Sequence, residues 1–250
     1  MQIRLVFDRL FEQNMTNENK TKQGDIIGAM FEAGAHFGYQ KSRRDASVSP
    51  FVFGTKNKID IIDLESTKEQ LEKAKEFITK LAKEGKTVLF VGGKNEAKSF
   101  IKLGAESINQ PFVASRWIGG TLTNASEIKK RIAKFEDLAK QKEKGELTKY
   151  TKKERLLIDR QIDKFEQMFS GIVSMKDLPK ALFIIDPKKE SIAVSESKKM
   201  NIPVVSLLNT DCNIKDVDYP IVGNDASTSS ISFFVNEIVA SYKEGKSSSK

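Results

Sequence analysis

Short, wholly apolar runs recur along this chain, and stretches of helical periodicity lie between them. Thr87-Val88-Leu89-Phe90-Val91, Ala181-Leu182-Phe183-Ile184-Ile185-Asp186 and Pro203-Val204-Val205-Ser206-Leu207-Leu208 are too short for helices and too continuous for strands with one wet face. Strands of this kind are buried on both faces, as in a parallel sheet. Ile59 to Leu64, Phe112-Val113-Ala114 and Tyr219 to Val222 read as further strands. The intervening segments carry a helical repeat. In Thr67–Glu84 the apolar positions are Leu71, Ala74, Phe77, Ile78 and Leu81, and Gly85 closes the run. Asn95–Ile108, Lys188–Met200 and Ala226–Tyr242 read as helices too, with a shorter one at Ile26–Ala33. Strands alternating with helices predict an α/β fold: a three-layer parallel sheet with helices on both faces, flavodoxin-like or Rossmann-like.

One segment breaks the alternation. Ile128, Ile132, Phe135 and Leu138 are spaced as helix neighbours, and so are Ile158, Ile162, Phe165 and Phe169, with a polar link containing Gly145 between them. The pattern predicts two amphipathic helices paired as an antiparallel coiled-coil hairpin inserted into the α/β domain. Asn124 with Glu127, and Thr151 with Glu154, fit capping boxes at the two starts. A helix from Ala125 to Lys142 would be ~27 Å long, enough to project from a compact domain. The expected organisation is a flexible extension at 1–24, one discontinuous α/β domain at 25–124 and 171–242, the hairpin at 125–170 and a disordered tail at 243–250.

The chain carries a net charge of +8, and its placement matters more than its size. Residues 1–58 hold nine basic and six acidic side chains, residues 125–170 thirteen and nine, and all the rest twenty and nineteen. The basic excess is therefore confined to the N-terminal segment and the insert, which favours a polyanionic partner. Lys41, Arg43, Arg44, Lys56 and Lys58 flank an aromatic loop, Ser49-Pro50-Phe51-Val52-Phe53-Gly54, and make the best nucleic-acid candidate. A solvated loop would have the same composition.

Other chemistry is sparse. A single cysteine, Cys212, forms no intrachain disulfide and suits a reducing compartment. With one histidine, His36, no zinc ligand set is evident, and His36 is expected to be buried and bonded to backbone. Asp63, Asp186 and Asp211 end strands, where they cap turns more often than they catalyse. Gly92-Gly93-Lys94 follows a strand and opens a helix, so it suits either a phosphate or a plain tight turn. It lacks the spacing of a P-loop or a dinucleotide fingerprint. No apolar run approaches the ~18 residues of a membrane span, and Arg4, Asp8 and Arg9 interrupt the apolar start. No cofactor or metal is expected.

Four stretches also share an order. Gly34-Ala35-His36-Phe37-Gly38, Pro50 to Lys58, and Arg116-Trp117-Ile118-Gly119-Gly120-Thr121-Leu122-Thr123-Asn124 come first. Leu178-Pro179 with Ala181–Asp186, Glu190, Glu196, Ile202 and Pro203 completes the set. In this order and spacing the chain resembles the ribosomal protein S2 family. The resemblance implies a non-catalytic constituent of the small ribosomal subunit in the cytoplasm. It implies binding to small-subunit rRNA, contact with neighbouring small-subunit proteins and help in docking ribosomal protein S1, with no membrane and no small-molecule substrate. On this reading Lys41, Arg43, Arg44, Lys56, Lys58, Arg116, Lys129, Lys130 and Arg131 contact RNA. Trp117, Gly119, Gly120 and Asn124 shape the junction where the hairpin leaves the sheet.

The chain departs from the family pattern at Tyr39, where a second histidine is usual, at the loop Asn209–Ile214, and after Gly223-Asn224-Asp225, where a basic residue is usual. Residues 1–24 have no family counterpart, and Met15 is read as an alternative initiator. The competing functions are an α/β enzyme or binding protein for a small phosphorylated ligand that uses Gly92-Gly93-Lys94, and a free regulatory protein that docks through the hairpin.

Overall fold

The structure is a computed structural model that describes residues 26–145, 147, 151–175 and 177–248. The extension at 1–24 and the question of Met15 lie outside the described residues. Five parallel strands form the main sheet: β4 (Val88–Val91), β5 (Phe112–Val113), β6 (Ala181–Ile185), β7 (Val204–Leu208) and β8 (Tyr219–Val222). Their spatial order is β5-β4-β6-β7-β8, with every neighbouring pair parallel. The chain therefore turns back on itself between β4 and β6.

The strands alternate between two apolar layers. Val88, Phe90, Ala181, Phe183, Ile185, Val205, Leu207 and Ile221 point to one side. There they meet α1 (Ile26–Glu32), α2 (Leu64–Lys83), α3 (Asn95–Ser107) and α7 (Thr228–Ser247). Leu89, Val91, Leu182, Ile184, Val204, Leu208 and Val222 point to the other side. This second layer holds α6 (Ser191–Lys199), Trp117, Leu122 and the bases of the inserted helices. Because both faces are dry, the strands lack alternation, as the sequence implied.

Three differences from the sequence reading have physical causes. Ile59–Ile62 is β3 of a separate antiparallel sheet, ordered β1-β3-β2, with β1 at Phe37–Gln40 and β2 at Val52–Lys56. Its alternation, Ile59 exposed and Asp60 buried, marks a strand with one wet face and not a parallel one. Next, the last helix continues to Ser247, through residues expected to be disordered. Gly245 lies so close to Thr79 and Ala82 of α2 that a Cβ would stand 2.5 Å from the Thr79 carbonyl, so tertiary packing carries the helix on. Finally, α6 starts at Ser191, because residues 186–190 form a turn in which Asp186 has φ +62°.

The insert consists of α4 (Ala125–Glu143) and α5 (Lys152–Phe169), which pack on one another. Phe135 meets Phe165 edge-on at 6.4 Å, and Lys142 pairs with Asp159 at 2.8 Å. Residue numbers rise along one helix as they fall along the other, so the pair is antiparallel. The two caps differ. Thr151 and Glu154 form the expected reciprocal box, whereas the Asn124 side chain bonds no helical N–H and instead accepts from Ser126 Oγ at 3.3 Å.

Candidate nucleic-acid interface

The small antiparallel sheet is mounted on the loops that follow β7 and β8. Tyr39 N–H donates to Thr210 Oγ1 (2.9 Å), Asp45 N–H to the Thr210 carbonyl (2.8 Å) and Asn224 Nδ2 to the Gly34 carbonyl (3.0 Å). The unusual loop Asn209–Ile214 thus supports this sheet. On the inner face, Arg44 holds the fully buried Asp60 with two nitrogens, Nε at 2.7 Å and a terminal nitrogen at 2.5 Å, and also reaches Thr55 Oγ1 at 3.0 Å. These bonds, Arg44 first, hold the Asp60 carboxyl below its usual range despite burial. Arg44 is therefore engaged as the counter-ion of a buried aspartate, unlike the exposed cations around it.

The other predicted cations of this region converge at the open end of the sheet. The β2–β3 turn is Asn57-Lys58, both with positive φ, and Lys41 N–H donates to the Lys58 carbonyl at 2.9 Å. Lys56 stands opposite Ile59, and Ile59 stands opposite Gln40. Lys41, Arg43, Lys56 and Lys58 are all exposed, and the Arg43 guanidinium lies 5.0 Å over the Tyr39 ring. Beside them, Phe53 is 82% and Phe37 49% exposed, and Phe31 is exposed too. Sequence reasoning singled out the aromatic loop that holds Phe53 but not Phe31 or Phe37; exposure is not a property of residue type. His36 is partly buried, its ring stacked on Phe31 (4.4 Å) and tilted against Phe37 (4.0 Å), and its buried Nδ1 has no partner among the described residues. It is not the backbone-bonded core histidine expected.

Arg116 and the hairpin cations belong to a different part of the molecule. Arg116 is exposed and follows β5, at the sheet edge opposite β8. Lys129, Lys130 and Arg131 are exposed on α4, with Lys130 paired to Glu127 at 2.6 Å. Consecutive helical residues point ~100° apart, so these three do not share one contact face.

The junction between β5 and α4 is organised by one carboxylate. Glu196 of α6 is 5% exposed. It accepts from Gly120 N–H (2.6 Å), Leu122 N–H (3.0 Å), Thr123 N–H (3.2 Å), Thr123 Oγ1 (3.3 Å) and Trp117 Nε1 (3.3 Å). Burial alone would raise its pKa, but these donors outweigh burial and hold it below the usual value. Gly120 has φ +92°, which a larger residue resists, while Trp117 is buried against the sheet. Trp117 and Gly120 are thus both bonded to Glu196 at the junction. Gly119 has open space around it and no packing constraint, and Asn124 packs against Gly120 without capping α4.

The Gly92-Gly93-Lys94 turn lies where the chain reverses between β4 and β6, the place at which open α/β sheets bind ligands. Here the protein fills that place itself. Lys94 Nζ is 2.8 Å from Asp186 and 2.7 Å from Asp225, and Gly93 N–H donates to Glu190 at 3.2 Å. A Cβ on Gly93 would stand 2.5 Å from Glu190 Oε1. Burial would lower the Lys94 pKa, but Asp225 and Asp186 outweigh it and raise the value well above that of free lysine. With its cation neutralised and three carboxylates around it, the turn disfavours a phosphate. Of the remaining candidates, Asp63 caps α2 through Glu65 and Ser66, Asp211 pairs with Lys188, and Cys212 is buried with its thiol pushed up by burial first and the nearby aspartates second.

A filled ligand crevice, a basic surface and an inserted helical pair define a binding scaffold. The family model described as Ribosomal protein S2 matches residues 30–245, and the chain belongs to that family. It is 44% identical over 217 residues to the small ribosomal subunit protein uS2 of a Nitratiruptor species, covering 87% of this chain and 81% of the relative. It is 42% identical over 217 residues, with the same coverage, to that of Coprothermobacter proteolyticus. It is 41% identical over 221 residues to that of Helicobacter hepaticus, covering 88% and 84%. The family is one of ribosomal proteins and not of enzymes. Among the described residues, no helix is long and apolar enough to cross a membrane.

Two outcomes test the site. Arg44→Ala strands a buried aspartate and is expected to cost about 3–5 kcal/mol in urea unfolding, whereas Arg43→Ala leaves stability unchanged. Glu196 has a folded pKa below its unfolded value of 4.5, so its contribution is complete above that pH and is lost as pH falls through the folded value. Glu196→Gln should cost about 1–3 kcal/mol at neutral pH and flatten the acid side of the stability profile measured by thermal melting.

Proposed function

We propose that this chain is a structural constituent of the small ribosomal subunit in the cytoplasm, that it binds small-subunit rRNA, and that it helps dock ribosomal protein S1. The observation that carries the RNA reading is the convergence of Lys41, Arg43, Lys56 and Lys58 at the open end of the small sheet. All are exposed, and the Lys41 N–H is bonded to the Lys58 carbonyl of the Asn57-Lys58 turn. Cations presented on a rigid support contact phosphates with little ordering cost. Arg116 and the exposed cations of α4 supply a second set, which suits an RNA that reaches both sheet edges.

For S1, the support is the aromatic surface beside those cations. Phe31, Phe37 and Phe53 present large apolar groups to solvent, and such a cluster suits an apolar segment of another protein. The inserted helices are read as a coiled-coil arm over 125–170 that projects from a discontinuous domain made of 25–124 and 171–242. Holding the arm's base on Glu196 fits a role in reaching neighbouring components.

Sedimentation of a native lysate at increasing salt tests the RNA reading. The protein should travel with the small subunit and leave it as salt rises, with a dependence that becomes shallower in Arg43→Ala/Lys56→Ala/Lys58→Ala. A wild-type protein that stays at the top of the gradient at low salt would refute the reading. Phe53→Ala should reduce the S1 recovered with small subunits while leaving this chain bound to them; unchanged S1 would remove the aromatic surface from the account.

A further inference from the structure

A groove of about 480 Å³ runs along the β5 edge of the sheet, between α3 and the base of α5. Lys98 and Lys102 form one wall, one helical turn apart and both exposed. Ser115, Gln167 and Ser170 line the other side, and the exposed Arg116 follows Ser115 directly. No carboxylate lines the groove, whereas three grooves of similar size elsewhere on the described surface each include at least three. Among the described residues, Lys98, Lys102 and Arg116 make no salt bridge.

The edge strand itself does not explain the groove. Phe112 N–H already donates to the Gly171 carbonyl at 2.9 Å, so β5 is covered where an added strand would pair. Ser115 Oγ donates to the Gln167 carbonyl at 2.8 Å and fixes the wall that faces the two lysines. The result is a concave groove with an apolar floor, Phe112, Val113, Ala114 and Met168, and uncompensated cations, hydroxyls and an amide around it. Cations with no carboxylate beside them, together with hydroxyls and an amide, suit a chain of phosphates and sugar hydroxyls, and the covered edge of β5 leaves no pairing site for an added peptide strand.

We propose that this groove holds the sugar-phosphate backbone of rRNA, with Lys98 and Lys102 as phosphate ligands and Arg116 continuing the track toward the junction. This adds a contact on the α3 side of the sheet to those assigned above, and it rests on the small-subunit reading.

The test uses the full chain, tagged and expressed in cells, and compares Lys98→Ala/Lys102→Ala with Lys73→Ala/Lys80→Ala. The control pair removes the same charge from α2, beside Glu69 and Glu76. All four lysines are exposed, and melting curves verify that both variants fold. Retention on small subunits is measured across a salt series, and ultraviolet crosslinking maps peptides attached to RNA. The groove variant is expected to lose about 1.4–1.8 from the slope of log association constant against log salt, with the control unchanged and a wild-type crosslink within 98–116. Equal slopes for wild type and groove variant, or equal losses in both variants, would overturn the proposal while leaving the small-subunit reading intact. An unchanged slope with loss of a neighbouring protein would overturn it in favour of a protein ligand. A wild-type chain that does not sediment with the subunit at all would overturn the underlying reading, and this inference with it.

Discussion

The Glu196 carboxylate is the constraint on which the rest of the molecule's layout depends. The chain must leave a parallel sheet after β5, build a long helical pair, and return to start β6 in the middle of that sheet. Three backbone N–H groups, a hydroxyl and an indole are released along the exit path, and all converge on one buried anion. Without it those groups would be buried and unpaired, or the junction would swell to admit water and the arm would lose its direction. A single charge on α6 thereby links the domain's second apolar layer to the start of the inserted helical pair.

A second polar cluster closes the crevice at the carboxyl ends of the strands. Lys94 bridges Asp186 and Asp225, Asn209 Nδ2 donates to Asp225 at 3.0 Å, and Glu190 takes the Gly93 amide. In an α/β enzyme such groups would be turned toward a substrate. Here they satisfy one another, and the adjacent loops carry the small antiparallel sheet. The same topology that elsewhere opens a ligand site has been converted into a mount for a binding surface, which agrees with membership of a ribosomal protein family.

Legibility in the sequence tracked how local each signal is. The five parallel strands and the helices between them announced themselves, because burial on both faces demands continuous apolar runs and helices on a sheet demand a 3.6-residue repeat. The Thr151–Glu154 cap was readable because both partners lie within one turn. The Asn124–Glu127 pair has the same spelling and fails, because Gly120 and Glu196 dictate the backbone there and leave Asn124 at φ −130° and ψ 49°. Strands β1 and β2 escaped notice because each is short, contains a glycine and has a wet face. The cations split for the same reason. Arg43 and Arg44 are identical in sequence terms, yet one lies open over Tyr39 and the other is locked to Asp60, a residue sixteen positions away.

The sequence by itself determined the class of architecture, the presence of an inserted helical pair and the regional excess of positive charge. These follow from periodicity and composition, which depend on residue order and not on where distant segments meet. Tertiary structure decided which cations remain available, which aromatics face solvent and which strand ends are closed. Those outcomes depend on contacts such as Arg44 with Asp60, Lys94 with Asp225 and Trp117 with Glu196. Folding alone brings such partners together, because burial makes an unpaired charge or amide too costly to leave standing.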